Sequence, residues 1–144
     1  MNMKIVDQEI EFNLKEEFTE IVPIIKNMIK DEKLENANLY IFVPHEVSSI
    51  VPIGWEDGLI DDAKDFLKNT VPEGKYKNHD EPGTPWRYNF FEHMRAKVAG
   101  QNSITLLVKD GELYIGKYQN YYFYSPVWKT IPDQKMLVRI EKFE

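Results

Sequence analysis

Three histidines are the residues of this chain best suited to metal or acid–base chemistry. His45 follows the apolar run "NLYIFV", His79 lies in a Pro- and Gly-rich stretch, and His93 lies in a segment with helical spacing. Active-site residues tend to assemble where strand ends, loops and helix faces meet. Three neutral imidazoles can hold zinc or a similar divalent ion and leave one position for water or substrate. The wide spacings match no compact zinc motif, so separate structural histidines are the alternative.

The composition excludes several classes of site. The chain has no cysteine, so disulfides, thiolate metal sites and cysteine nucleophiles are excluded. The net charge is −6 without a Lys/Arg-rich run, and we therefore expect no nucleic-acid partner. The N-terminus "MNMKIVDQEIEF" has no signal-peptide pattern, and no apolar run is long enough to span a membrane. We expect a cytoplasmic protein without a membrane partner.

The length and the residue pattern predict one α+β domain over residues 1–144. A chain of 144 residues with 42% hydrophobic and 13% aromatic residues can bury one good core. Alternating and apolar runs predict mostly antiparallel strands over 4–14, 37–43, 103–109, 112–116, 119–125 and 135–143. Residues 48–54 read as a continuation or a hairpin partner of the second strand, which should be central. The Asp110-Gly111 pair predicts a tight hairpin turn.

Helical spacing of apolar residues predicts about three helices, over 16–32, 58–71 and 89–100. Pro23 should kink the first helix or mark its first turn. On the third helix, one stripe joins a polar pair to small residues and a second stripe should face the core. The first stripe is Asn89, His93, Ala96 and Gly100, and the second is Phe91, Met94 and Val98. The first stripe suits a pocket wall.

The irregular stretch 72–88, "PEGKYKNHDEPGTPWRY", contains His79 and is the longest segment without a periodic pattern. Loops of this length in compact domains are more often functional than short ones.

Five segments occur in a recognisable order: "FVPHEVSSIVPI", "WEDGLIDDAKDFL", "VPEGKYKNHD", "NFFEHMRAKVAG" and "DGELYIGKYQNYYF". Over roughly residues 37–143 the chain resembles the YjbQ-like family, whose members are described as secondary thiamine-phosphate synthases. All three histidines fall on histidine positions of that family. The resemblance implies an α+β fold with a large antiparallel β component, a homotrimer, and a pocket near subunit contacts.

The resemblance also implies a reaction and its participants. A pyrimidine carrying a pyrophosphate would lose that group as the nitrogen of a thiazole phosphate attacks its exocyclic methylene carbon, so the partner is a phosphorylated small molecule. A divalent metal, Zn or Mg, or a protonated histidine would stabilise the leaving group. The residues implied are His45, His79 and His93 for metal or phosphate, Asn89 and Gln119 for orientation, Asp57 or Asp62 as a carboxylate, and Lys117 and Lys129 for ligand binding.

The chain departs from the family pattern at three places. Glu46 and Val47 replace hydroxyl residues after the first histidine, and Ile53-Gly54 replaces an Asn-Glu pair. The segment "SPVWKTIPDQK" lacks the family's arginine, so Lys129 or Lys135 would have to take its place with a point charge instead of a bidentate fork. Glu46 could be a further metal ligand or part of a salt bridge.

Two other functions remain open from the residues. A three-histidine zinc site could generate hydroxide and hydrolyse an ester or phosphoester. Alternatively, a degenerate site could leave a non-enzymatic small-ligand or assembly protein. The run "YQNYYFY" at 118–124 fits core or interface packing better than ligand stacking.

Overall fold

A computed structural model describes residues 2–80 and 88–144. The elements in this part of the chain are β1 (Met3–Asn13), β2 (Phe18–Glu20), α1 (Val22–Asp31), β3 (Asn36–Phe42), β4 (Ser49–Gly54), α2 (Leu59–Thr70), α3 (Phe90–Ala99), β5 (Ser103–Lys109), β6 (Glu112–Leu113), β7 (Gln119–Tyr124) and β8 (Asp133–Phe143). The predicted loop 72–88 is therefore described up to residue 80 and at residue 88. Its remaining part, 81–87, lies outside the described residues.

The strands form two antiparallel sheets, which confirms the predicted α+β class. The first sheet has the order β1-β8-β3-β5-β6, and the second has the order β2-β7-β4. The predicted central position of β3 is confirmed, since β3 pairs with both β8 and β5. The predicted hairpin between β5 and β6 is also confirmed. Asp110 and Gly111 both have positive φ, as a two-residue hairpin turn of this kind requires.

Strand β4 differs from its prediction as a continuation or hairpin partner of β3. It pairs with β7 in the other sheet, with Ser49 opposite Tyr124 and Gly54 opposite Gln119. The chain leaves the first sheet after Phe42 and crosses to the second sheet through residues 43–48. The apolar pattern of residues 48–54 marked a strand correctly but carried no information on which strand it would join.

The first predicted helix begins later than expected. Phe18–Glu20 forms β2 and pairs with β7, and α1 starts at Val22 with Pro23 in its first turn. Proline is tolerated at this position because its missing N–H has no partner inside the helix. Phe18 fitted the apolar pattern of the helix because its side chain is buried. It belongs, however, to the strand that directly precedes the helix.

The three-stranded sheet lies between two hydrophobic cores. On one side, α1 and the inner face of the five-stranded sheet enclose a cluster that includes Ile25, Leu39, Ile50 and Phe123. On the other side, α2 and α3 cover a smaller cluster that includes Phe18, Val51, Leu67, Ala96, Tyr122 and Tyr124. No helix within residues 2–80 and 88–144 is long and apolar enough to cross a membrane.

Helix α3 packs through a different stripe from the predicted one. Phe91 is buried, but Met94 is 38% and Val98 is 44% exposed, so the predicted core stripe is wrong at these two positions. Ala96 is fully buried instead. A small residue lets the helix approach the sheet, and just beyond it Gln101 forms a bridge to Ile50 of β4. The apolar stripe was misread because close packing here depends on small side chains.

Gly100 is required at this contact because a Cβ added there would collide with the Ile50 carbonyl. We expect Gly100→Ala to lower the free energy of unfolding by about 1–3 kcal/mol, since overpacking forces the backbone to shift. Urea denaturation measures this change. Gly74→Ala is the matched control because a Cβ at Gly74 meets no atom within 4 Å, and its effect should stay within about 0.5 kcal/mol. Equal effects of the two substitutions would contradict the assignment.

Candidate functional site

The loop that carries His45 is held by one amide side chain. Asn102 Nδ2 donates to the backbone carbonyls of Val43, His45 and Ser48 at 3.1, 3.2 and 3.1 Å. Lys97 of α3 donates to Asn102 Oδ1 at 2.6 Å. The loop after β3 and helix α3 are thereby joined, which places the elements that carry His45 and His93 side by side.

The hydrogen bond of the His45 ring determines what the ring can offer to a ligand. The backbone N–H of Val47 donates to His45 Nδ1 at 3.1 Å. In the neutral ring the proton therefore lies on Nε2, which is a hydrogen-bond donor in that tautomer. In this arrangement His45 suits an anion or a carbonyl group. Metal binding through Nε2 would require the proton to move and the bond to Val47 to be lost.

His79 is oriented by the adjacent buried carboxylate of Asp80. The His79 Nδ1 atom lies 2.7 Å from Asp80 Oδ1, and the Asp80 side chain is fully buried. Burial raises the pKa of Asp80, but hydrogen bonds from His79 and from the backbone N–H groups of Tyr76 and Phe90 outweigh this effect and leave the pKa lowered. An ionised Asp80 keeps the proton on His79 Nδ1, so Nε2 is free to accept a proton or bind a metal.

His93 lies beside His79, with ring centroids 5.1 Å apart. Burial lowers the pKa of His93; His79, Lys97 and His45 lower it further, while Glu46 raises it. The structure thus brings His79 and His93 together, and the His45 loop is joined to α3 through Asn102 and Lys97. The net shift favours a neutral His93 with a lone pair available.

Asn89 precedes α3 by one residue and lies one helical turn before His93, whose N–H donates to the Asn89 carbonyl at 3.2 Å. The Asn89 Oδ1 atom is buried and accepts no hydrogen bond from residues 2–80 and 88–144. A buried acceptor without a partner is costly, and a ligand donor would remove this cost. We name His45, Glu46, His79, Asp80, Asn89 and His93 the histidine cluster.

Gln119 and Lys117 lie away from the histidine cluster within one chain. Gln119 pairs with Gly54 at one end of β4, whereas the His45 loop precedes Ser49 at the other end. Six residues of strand separate these ends, which is roughly 17 Å at the usual rise per residue. Gln119 Oε1 accepts the backbone N–H of Gly116 at 2.7 Å, so its visible role is to stabilise a turn.

The remaining predicted residues are exposed. Asp57 lies in the turn before α2, and Asp62 lies in the first turn of α2, where it borders an apolar groove that includes Ile53 and Phe66. Lys129 lies in the turn after β7, with its Nζ 5.4 Å from the centre of the Trp128 ring. The functional roles of these residues stay predictions, and the geometry gives none of them a contact with the histidine cluster.

The donor set fits a divalent ion only in part. His79 and His93 offer neutral imidazole nitrogens, and Asp80 supplies the outer carboxylate that metal-bound histidines commonly have. Within residues 2–80 and 88–144, however, no three His, Asp or Glu side chains are grouped closely enough to hold a metal. A third ligand from His45 or Glu46 therefore requires a side-chain rotation.

Sequence reasoning missed Asp80 and Asn102. Asp80 had a visible signal, since it directly follows His79 and adjacent carboxylates commonly orient imidazoles. Asn102 had none, because its bonds to residues 43–48 span more than 50 positions along the chain.

The comparisons with known proteins agree with this fold. The model of the family described as "UPF0047 protein YjbQ-like" matches residues 8–138. The chain belongs to this family. A UPF0047 protein from Archaeoglobus fulgidus is 28% identical over 104 residues, which cover 72% of this chain and 79% of that protein. A UPF0047 protein from Methanocaldococcus jannaschii is 26% identical over 116 residues, with 80% and 79% covered.

Solved structures of YjbQ-like proteins have the same fold. A YjbQ-like protein of unknown function from Sulfolobus solfataricus superposes with a TM-score of 0.79 at 21% identity, over 99% of this chain and 100% of that one. A YjbQ/UPF0047 protein from Clostridium acetobutylicum gives a TM-score of 0.74 at 21% identity, over 92% and 98%. At this level of identity the similarity establishes the architecture.

The lowered pKa of His93 predicts a defined pH dependence. An ordinary imidazole titrates near a pKa of about 6.5, and folding disfavours protonation of His93. The contribution of His93 to the free energy of unfolding is therefore complete above about pH 6.5. It is lost as the pH falls through the pKa of His93 in the folded protein. An NMR titration should show that His93 becomes protonated at a lower pH than free histidine does. The His93 resonance is identified as the one that is missing from the spectrum of His93→Gln. Titration at or above the free value would contradict the described environment.

Proposed function

We propose that the histidine cluster binds a phosphorylated small molecule and catalyses a group transfer of the thiamine-phosphate synthase type. The observation that supports this most directly is the ordering of His79 by buried Asp80 beside His93. A carboxylate-held imidazole next to a second, neutral imidazole supplies two nitrogen ligands for a divalent ion in one place. The homotrimer and the cytoplasmic location expected from the sequence stay predictions.

In this proposal His79 and His93 would hold a divalent ion, and Glu46 would complete its protein ligands after a side-chain rotation. When bound, the ion supplies positive charge that stabilises a departing pyrophosphate. His45 donates a hydrogen bond from Nε2 to a phosphate oxygen, as its bond from Val47 allows. Asn89 Oδ1 accepts a hydrogen bond from an amino group of the substrate, which would satisfy an acceptor that has no partner in the described part of the chain.

Hydrolysis of an ester or phosphoester is the second candidate, and the free Nε2 of His79 favours it. A divalent ion held by this nitrogen would lower the pKa of a bound water and supply hydroxide near neutral pH. The residues are the same in both reactions, so the products separate them. Group transfer requires both substrates and releases pyrophosphate, whereas hydrolysis consumes a single ester.

Metal binding is the first test of the cluster. Isothermal titration with Zn²⁺ should show about one site per chain, lost in His79→Ala and in His93→Ala because each removes a ligand. Asp80→Asn should weaken binding by about 10–100-fold, as for other outer-shell carboxylates. Asp65→Asn is the matched control, since it removes an exposed carboxylate on α2 and should bind as the parent does. No binding in the parent chain would contradict the metal part of the proposal.

Turnover is the second test. The parent chain with both phosphorylated substrates should release pyrophosphate, and Asp80→Asn should lower the rate by about 10–100-fold because His79 is no longer held in place as a metal ligand. Asp65→Asn should keep the parent rate. Metal-dependent turnover of a generic phosphoester, abolished by a chelator, would instead indicate the hydrolase. Neither activity, with metal bound, would contradict both reactions and indicate a non-enzymatic binder.

A further inference from the structure

A separate cavity with both polar and apolar walls lies at the end of β4 opposite the histidine cluster. It has a volume of about 660 Å³, and its walls include Glu20, Lys26, Trp55, Gly116, Lys117 and Gln119. This volume lies within the range of about 300–1,000 Å³ usual for small-molecule sites. We call it the Trp55 cavity. The length of β4 keeps it roughly 17 Å from the His45 loop, so one small ligand does not reach both places within a chain.

Trp55 forms part of the wall, and its ring packs against Tyr118 outside the cavity. Trp55 is 49% and Tyr118 is 52% exposed, and their rings stack with centroids 5.4 Å apart at an angle of 31°. Trp55 Nε1 donates to the Lys117 carbonyl at 2.9 Å, which fixes the indole plane. Exposed aromatic faces that are held in place offer stacking surface without a further ordering cost.

Two lysines supply positive charge to the same cavity. Lys117 Nζ lies 5.3 Å from the Tyr118 ring centre, and Lys26 belongs to the cavity wall on α1. Neither forms an ion pair with a carboxylate in the described part of the chain. Glu20 is the acid among the named wall residues. Gln119 uses Oε1 for the Gly116 N–H, so its amide NH₂ keeps two donors for a ligand.

We propose that the Trp55 cavity binds a phosphorylated planar heteroaromatic small molecule of the mononucleotide type. The aromatic ring of the ligand stacks on Trp55, the phosphate lies between Lys26 and Lys117, and the Gln119 amide donates to a ring acceptor. Stacking and cation contacts of this kind recognise bases and phosphates generally. The net charge of −6 disfavours a polymeric nucleic acid. The proposal is independent of the reaction assigned to the histidine cluster.

The test is a titration of the full chain with adenosine 5′-monophosphate. Binding is measured by calorimetry and by tryptophan fluorescence. We expect saturable binding that weakens at least tenfold in Trp55→Leu and in Lys117→Gln. Adenosine and inorganic phosphate, titrated separately, should each bind more weakly than the monophosphate because each lacks half of the contacts. Binding of phosphate alone with the strength of the monophosphate would overturn the aromatic part of the proposal.

Two controls keep the result specific. Lys109→Gln removes a lysine that also lies over an aromatic ring, that of Tyr114, and should leave binding unchanged. His79→Ala removes a proposed metal ligand of the histidine cluster and should also leave binding unchanged, so a failure of the histidine proposal does not affect this one. Equal weakening in Lys109→Gln, or no saturable binding to the parent chain, would overturn the proposal. Loss of binding in His79→Ala would assign the monophosphate to the histidine cluster instead.

Discussion

The burial of β4 and β7 on both faces is the constraint on which the rest of the structure depends. Ile50 faces one hydrophobic core and Val51 faces the other, so a slip of one residue would exchange the two packing environments along the strand. Register is strongly specified in such strands. The His45 loop precedes β4, and Trp55 follows its other end. The burial of both faces of β4 therefore also determines the positions of the histidine cluster and of the Trp55 cavity.

Within the histidine cluster, opposing electrostatic effects determine which ring nitrogens are available. Burial alone would favour a neutral Asp80, yet three hydrogen bonds favour its ionised form. The ionised carboxylate fixes the tautomer of His79, while the Val47 N–H fixes the opposite tautomer of His45. Two imidazoles in one cluster are thereby given different chemical roles, one as acceptor and one as donor. The sequence contains identical side chains at both positions.

Sequence patterns were sufficient where structure is local and insufficient where it depends on distant pairing. The alternation of apolar residues predicted β5, and Asp110-Gly111 predicted its turn, because both depend on neighbouring residues. The partner of β4 and the strand at Phe18 depended on pairing with β7, far away in the chain. The site followed the same division. The histidines were recognisable by type, but the role of Asn102 and the distance of Gln119 from them follow from the assembled sheets.

The Asn102 amide has a consequence for motion at the site. One side chain holds three carbonyls of the 43–48 segment and is itself held by Lys97. These hydrogen bonds order the backbone of the segment next to α3 when the chain folds. A ligand that contacts both His45 and His93 then has mainly side chains left to order. The entropy cost of ordering this backbone falls on the folding equilibrium and does not reduce ligand affinity.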